Sequence, residues 1–195
     1  MEVVTMKAAK WYGRNDIRVE EIDNPPAPGP GEAQIKVAWC GICGSDLHEY
    51  LAGPIFIPVE PHPLTGVKAP IVLGHEFSGT VVAVGEGVQT VQVGDLVAPD
   101  ACQHCGVCAS CREGRYNVCE KLAFTGLMAD GAFAEFVNVP AEQCYVLPKG
   151  FDLEAASLIE PLATGFKAVR LAGSLLGQTA VVLGAGTIGL GTIMC

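Results

Sequence analysis

Positive charge is scarce. Only 12 of 195 residues are Lys or Arg, against 21 Asp and Glu, and the net charge at pH 7 is −9. Such a chain repels phosphate backbones and anionic lipid, which argues against nucleic-acid and membrane-surface partners. Charged residues make up 17 % and aromatics 7 %, whereas hydrophobic residues reach 50 %, which excludes a disordered chain and suffices for a core. Signal-like apolar runs are lacking too. Met1–Lys10 contains none, so the expectation is a cytoplasmic protein with reduced cysteines. Leu171–Cys195 is uncharged and long enough to cross a bilayer, but its glycines, Ser174 and Gln178 fit a buried strand and a turn better. What is abundant is turn-forming residues, 24 Gly and 13 Pro, which favour short strands over long helices. The length suits one large domain or one and a fraction.

Along the chain, Lys7–Trp11 and Ile17–Glu21 flank a turn at residues 13–16 and predict a hairpin. Asn24–Gly31 is a Pro-rich connector. Ile35, Val37 and Trp39 alternate with Gln34, Lys36 and Ala38, as in a half-buried strand. Ser45 or Asp46 is placed to cap a short helix ending near Ala52. Gly53–Lys68 reads as a long irregular loop. Strands follow at Phe77–Val84, Gly94–Ala98, Gly131–Val139 and Cys144–Leu147. After Pro148 the character changes, to a helical Leu153–Ala172 broken near Pro161 and a strand at Thr179–Leu183.

Three constellations carry chemistry. Cys105, Cys108, Cys111 and Cys119 are spaced so that one loop can wrap a tetrahedral ion; four thiolates make a closed, structural zinc site. Arg112, Arg115 and Lys121 can offset its charge, and Cys102 leaves the alternative set Cys102, Cys105, Cys108, Cys111 open. Unpaired or redox thiols are the bland alternative. Second, Cys40-Gly-Ile-Cys43-Gly-Ser45-Asp46-Leu47-His48, Gly74-His75-Glu76 and Glu160-Pro161 together supply the thiolate, imidazole and carboxylates used at an open catalytic zinc, although each piece alone is weak. Third, Gly184-Ala-Gly186-Thr-Ile-Gly189, after a strand and before a helix, fits a dinucleotide turn with pyrophosphate at the helix N-terminus.

Taken together, these segments, with Val-Gly-Asp at 93–95 and Gly-Ala-Phe-Ala-Glu-Phe at 131–136, resemble the N-terminal part of a zinc-dependent medium-chain alcohol dehydrogenase. His-Glu-Tyr-Leu-Ala-Gly-Pro-Ile-Phe-Ile-Pro at 48–58 is similar to the 2,3-butanediol dehydrogenase branch. The resemblance implies a mainly β, GroES-like catalytic domain over 1–155. Residues 156–195 are then a linker helix and the truncated start of an α/β Rossmann domain for NAD or NADP. It also implies two Zn²⁺ per chain: a structural ion on Cys105, Cys108, Cys111 and Cys119, and a catalytic ion on Cys43, His75 and a carboxylate. Consecutive residues of an extended strand point to opposite sides, so Glu160 is favoured as third ligand over Glu76, unless Gly74–Glu76 is a turn. The resemblance makes Ser45 and His48 a proton relay and sets Thr164, Gly184, Gly186 and Gly189 against the cofactor; Cys102 falls outside its ligand pattern. The expected substrate is a vicinal diol or acyloin, with a homo-oligomer for the full-length enzyme. The alternatives are a sorbitol- or threonine-type dehydrogenase, a non-catalytic Cys₄ zinc module, or a broken copy of the enzyme.

Overall fold

The computed structural model describes residues 4–174 and 177–195. The first three residues of Met1–Lys10, and Leu175 and Leu176 of the uncharged run, lie outside the described residues.

The expected hairpin is present. β1 (Thr5–Gly13) and β2 (Asp16–Asp23) pair antiparallel, with Gly13 opposite Asp16 and Asn15 turning at φ 59. β3 (Glu32–Gly41) leads into helix α1 (Gly44–Ala52), and the irregular loop that follows ends at β4 (Ile71–Val72). β5 (Glu76–Val84) and β6 (Leu96–Pro99) come next. β7 (Cys102–Gln103) and β8 (Ala123–Phe124) pair at the base of a lobe that holds α2 (Ala109–Arg112) and a 3-10 turn at Tyr116–Val118. β9 (Phe136–Pro140) and β10 (Cys144–Val146) precede three helices: α3 (Leu153–Ala156), α4 (Ile159–Ala172) and α5 (Thr187–Met194).

The main sheet has the order β10-β6-β5-β3-β9 and the smaller one β2-β1-β4, and every pairing is antiparallel. The first core packs Ile35, Phe77, Val81, Val97, Val137 and Val139 from the main sheet. A second gathers Trp11, Ile57, Ile71, Leu73 and Leu127 where the small sheet meets the loops. Burying such side chains is worth about 1.5–3 kcal/mol each.

Several elements depart from the sequence reading. Trp39 is 50 % exposed because a bulge between Val37 and Trp39 shifts the register of β3 and turns Cys40 toward the core instead. Cys43, not Ser45 or Asp46, is the N-cap of α1. Gly131–Phe133 is not ladder; its N–H groups donate to the carbonyls of Val72, Gly74 and Leu73, and the strand begins only at Phe136. The helical stretch breaks before Pro161, between α3 and α4, and Pro161 sits in the first turn of α4, where its missing N–H leaves no bond unmade. Thr179–Leu183 is not a strand: among the described residues no neighbour pairs with it, and Val181 and Leu183 are 79 % and 94 % exposed. Among the described residues no helix is long and apolar enough to cross a membrane.

Candidate metal centres and dinucleotide turn

The second constellation forms where β4 gives way to β5. Gly74 adopts φ +97, a left-handed conformation in which a side chain is strained. A Cβ there would also meet the Phe133 ring at 2.6 Å and Cys40 Sγ at 2.9 Å. The kink ends the extended run before His75, and β5 starts only at Glu76. The alternation that set Glu76 against His75 therefore does not apply. One donor atom each from Cys43, His75 and Glu76 lies within 4.8 Å of the others. Glu160, the carboxylate favoured from the sequence, is outside this set. It stands close enough to feel both His75 and Glu76, and burial pushes its carboxyl up.

The start of α1 supplies the surroundings. The Cys43 N–H donates to Asp46 Oδ2 at 2.9 Å, and Asp46 Oδ1 faces His75 Nδ1 at 3.7 Å. Both of these facing atoms are buried and have no hydrogen-bond partner among the described residues. A small approach would pair them and orient the ring, as carboxylates do behind metal-bound histidines. Ser45 Oγ lies 3.4 Å from His75 Nε2. Burial pushes the pKa of both Cys43 and Asp46 up, the His75 ring opposing the rise at Asp46. A thiol, an imidazole and a carboxylate with room for a fourth ligand fit Zn²⁺ in an open site. His48 is exposed one turn beyond Ser45, and no hydrogen bond joins the two among the described residues.

The four-cysteine lobe fits a closed site. A tetrahedral ion bonded to sulfur at about 2.3 Å sets its ligands about 3.8 Å apart. Here Cys108 and Cys111 Sγ are 3.4 Å apart, Cys105 and Cys119 3.5 Å, and Cys108 and Cys119 3.9 Å. The N–H groups of Cys105 and Lys121 point at Cys119 Sγ, at 3.4 and 3.3 Å. Backbone N–H groups of Glu120 and Cys111 lower the Cys108 pKa to about 6, while desolvation and neighbouring thiols raise Cys111 to about 12. Cys102 stands apart in β7, raised to about 12 by burial and Asp100. The set is therefore Cys105, Cys108, Cys111 and Cys119.

The glycine turn opens α5 at Gly186, its N-cap. A Cβ on Gly189 would lie 2.1 Å from the Gly184 carbonyl oxygen, the close approach such a turn demands. A cleft of about 500 Å³ has Cys43, Gly44 and Glu76 on one wall and Gly184, Gly186 and Gly189 on the other. Thr164 and Glu160 line a separate cavity of about 620 Å³ with Asp100 and Cys102. Sequence reasoning missed Asp46 as a site residue, although an acid three positions after an N-cap is a recognisable capping signal.

Residues 29–149 match the family model of the alcohol dehydrogenase GroES-like domain. The (R,R)-butanediol dehydrogenase of Bacillus subtilis is 49 % identical over 189 residues, which cover 95 % of this chain and 53 % of that one. The L-threonine 3-dehydrogenase of Pyrococcus horikoshii is 39 % identical over 188 residues, covering 96 % and 51 %. The crystal structure of 2R,3R-butanediol dehydrogenase from Bacillus subtilis superposes with a TM-score of 0.88 at 48 % identity, covering 96 % of this chain and 53 % of its own. The chain spans about half the length of the curated relatives it matches.

Proposed function

Because the chain belongs to the alcohol dehydrogenases with a GroES-like domain, we propose that it supplies the metal centres and first phosphate turn of a zinc-dependent oxidoreductase. That enzyme moves hydride between a secondary alcohol and NAD or NADP. The observation that carries the reading is the shared cleft, with Cys43 and Glu76 facing Gly184, Gly186 and Gly189.

Zinc bound there supplies Lewis acidity that brings an alcohol's ionisation toward neutral pH, and nicotinamide supplies the hydride acceptor. The chain's own residues do the rest. Cys43, His75 and Glu76 hold the ion, and Asp46 keeps the His75 ring turned toward it. Ser45 Oγ, beside that ring, is placed to take the substrate's proton, and His48, exposed on the next turn of α1, passes it to solvent. The amide groups at the start of α5 receive pyrophosphate. Thr164 packs near the nicotinamide, and Cys105, Cys108, Cys111 and Cys119 hold a second, structural ion. The catalytic domain spans residues 1–155, and 156–195 begin the cofactor domain. Nine cysteines without a disulfide suit the cytoplasm. A homo-oligomer is the expected assembly of the full enzyme.

The proposed substrates are vicinal diols and acyloins such as 2,3-butanediol and acetoin. The similarity to butanediol dehydrogenases supports this class over threonine, at 49 % identity against 39 %. The test joins this chain to the second half of the Bacillus subtilis relative and compares kcat/KM across alcohols. 2,3-Butanediol should lead; ethanol, threonine or sorbitol turned over better would reject the substrate class. A single non-exchanging ion in metal-replete chain would instead favour a Cys₄ module without catalysis.

A further inference from the structure

Helix α1 carries Ser45, Asp46 and His48, yet it is a poor candidate for docking by apolar burial. Its nine residues include only two buried side chains, and both are acids, Asp46 and Glu49. Leu47 and Leu51 are 51 % and 48 % exposed. An isolated helix of this length is not stable in water, so something other than an apolar face must hold it.

Asp46 engages the metal centre at the front of the helix. Glu49, one turn back, is fully buried at 0 % exposure. Its carboxylate accepts from the N–H groups of Ile55, at 3.0 and 3.1 Å, Phe56, and Ile57, at 3.3 Å. Its backbone carbonyl accepts from Trp11 Nε1 at 3.0 Å and from Gly53 N at 2.9 Å. Trp11 and Ile57 belong to the second core. Glu49 thus ties α1 to that core through both its main chain and its side chain. The approach at Gly53 is so close that a Cβ there would fall 2.3 Å from the Glu49 carbonyl oxygen and 2.5 Å from Oε2.

We propose that Glu49 is a positioning residue for the Cys43–His75–Glu76 centre, fixing α1 so that Ser45 and Asp46 meet His75. This rests on the reading of that group as a zinc centre. The carboxylate stands in for the apolar anchor the helix lacks. Without it the last turn loses its hold, and the first turn, only one turn away, no longer presents Asp46 to the ring. Among the described residues no hydrogen bond joins the Cys₄ lobe to α1, so the lobe provides an internal control for folding.

The test is a Zn²⁺ titration, against a chromophoric chelator, of this chain joined to the second half of the Bacillus subtilis relative, repeated with Co²⁺ for the visible bands of each site. Wild type should bind two ions. Glu49→Gln, which keeps shape but loses charge and one acceptor, should weaken the Cys43 site by about tenfold or more, the range found for supporting residues behind metal ligands, and leave the Cys₄ site unchanged. Gly53→Ala should do the same from the other side of the contact. Equal affinities in variant and wild type, or equal weakening at both sites, overturn the inference while the zinc reading stands. A wild type that binds only the Cys₄ ion overturns the zinc reading itself, and this inference with it.

Discussion

At Gly74 a single backbone angle decides which carboxylate joins the centre. The kink at φ +97 frees His75 and Glu76 from strand alternation, so both reach Cys43. Gly74→Ala should cost about 2–4 kcal/mol, from left-handed strain and overpacking against Phe133 and Cys40, read from urea unfolding. A change within about 0.5 kcal/mol, the size of an ordinary surface substitution, would show that the backbone relaxes freely there. Glu76→Ala should lower metal at the Cys43 site more than Glu160→Ala does, with the Cys₄ ion retained, as counted by metal analysis. The reverse order would return Glu160 to the ligand set. The sequence made Cys43 and His75 legible because their motifs name the donors directly. The geometry groups Glu76, not the favoured Glu160, with them, because strand alternation does not carry through the glycine at 74. Asp46 and Glu49 went unread as buried groups, since acids on a short helix ordinarily face water.

The cysteine lobe is an element without a core. Neither α2 nor the Tyr116–Val118 turn buries a side chain, and only Cys119 among the four ligands is buried. In the zinc reading its order comes from bonds to the ion. Stripping the metal with a chelator should open Arg112, Arg115 and Lys121 to trypsin while β1, β5 and β6 stay protected, as mass mapping of fragments would show. Protection unchanged after metal removal would mean that the β7–β8 ladder holds the lobe alone. This element was readable in advance because ligand spacing is local. Thr179–Leu183 was not, because a strand exists only when a neighbour pairs with it, and pairing is not written in the segment itself. The break in Leu153–Ala172 was misplaced for a related reason: Pro161 stops a helix from within but suits its first turn.

At the scale of the whole molecule, one group of exposed apolar side chains lies near the C-terminal end. Among the described residues there, Leu171, Val181, Leu183, Ile193 and Met194 are 65–94 % exposed. Such a surface promotes association. Expressed alone, the chain should aggregate unless trimmed near residue 170, and calorimetry should detect no NAD(H) or NADP(H) binding at millimolar cofactor; soluble monomer that oxidises butanediol would reject this. The antiparallel, strand-rich first part was legible from turn density and alternation, whereas the exposure of the last part follows from which segments find partners. The four sulfur atoms of the lobe carry one more consequence. Closing them on Zn²⁺ expels up to four thiol protons and brings in two positive charges, so the loaded lobe is more negative by at most about two. In a chain already at −9, that places metal loading on the scale of electrophoretic mobility. Apo and loaded molecules should separate on anion exchange, and the proton yield in weak buffer should count the thiols that closed.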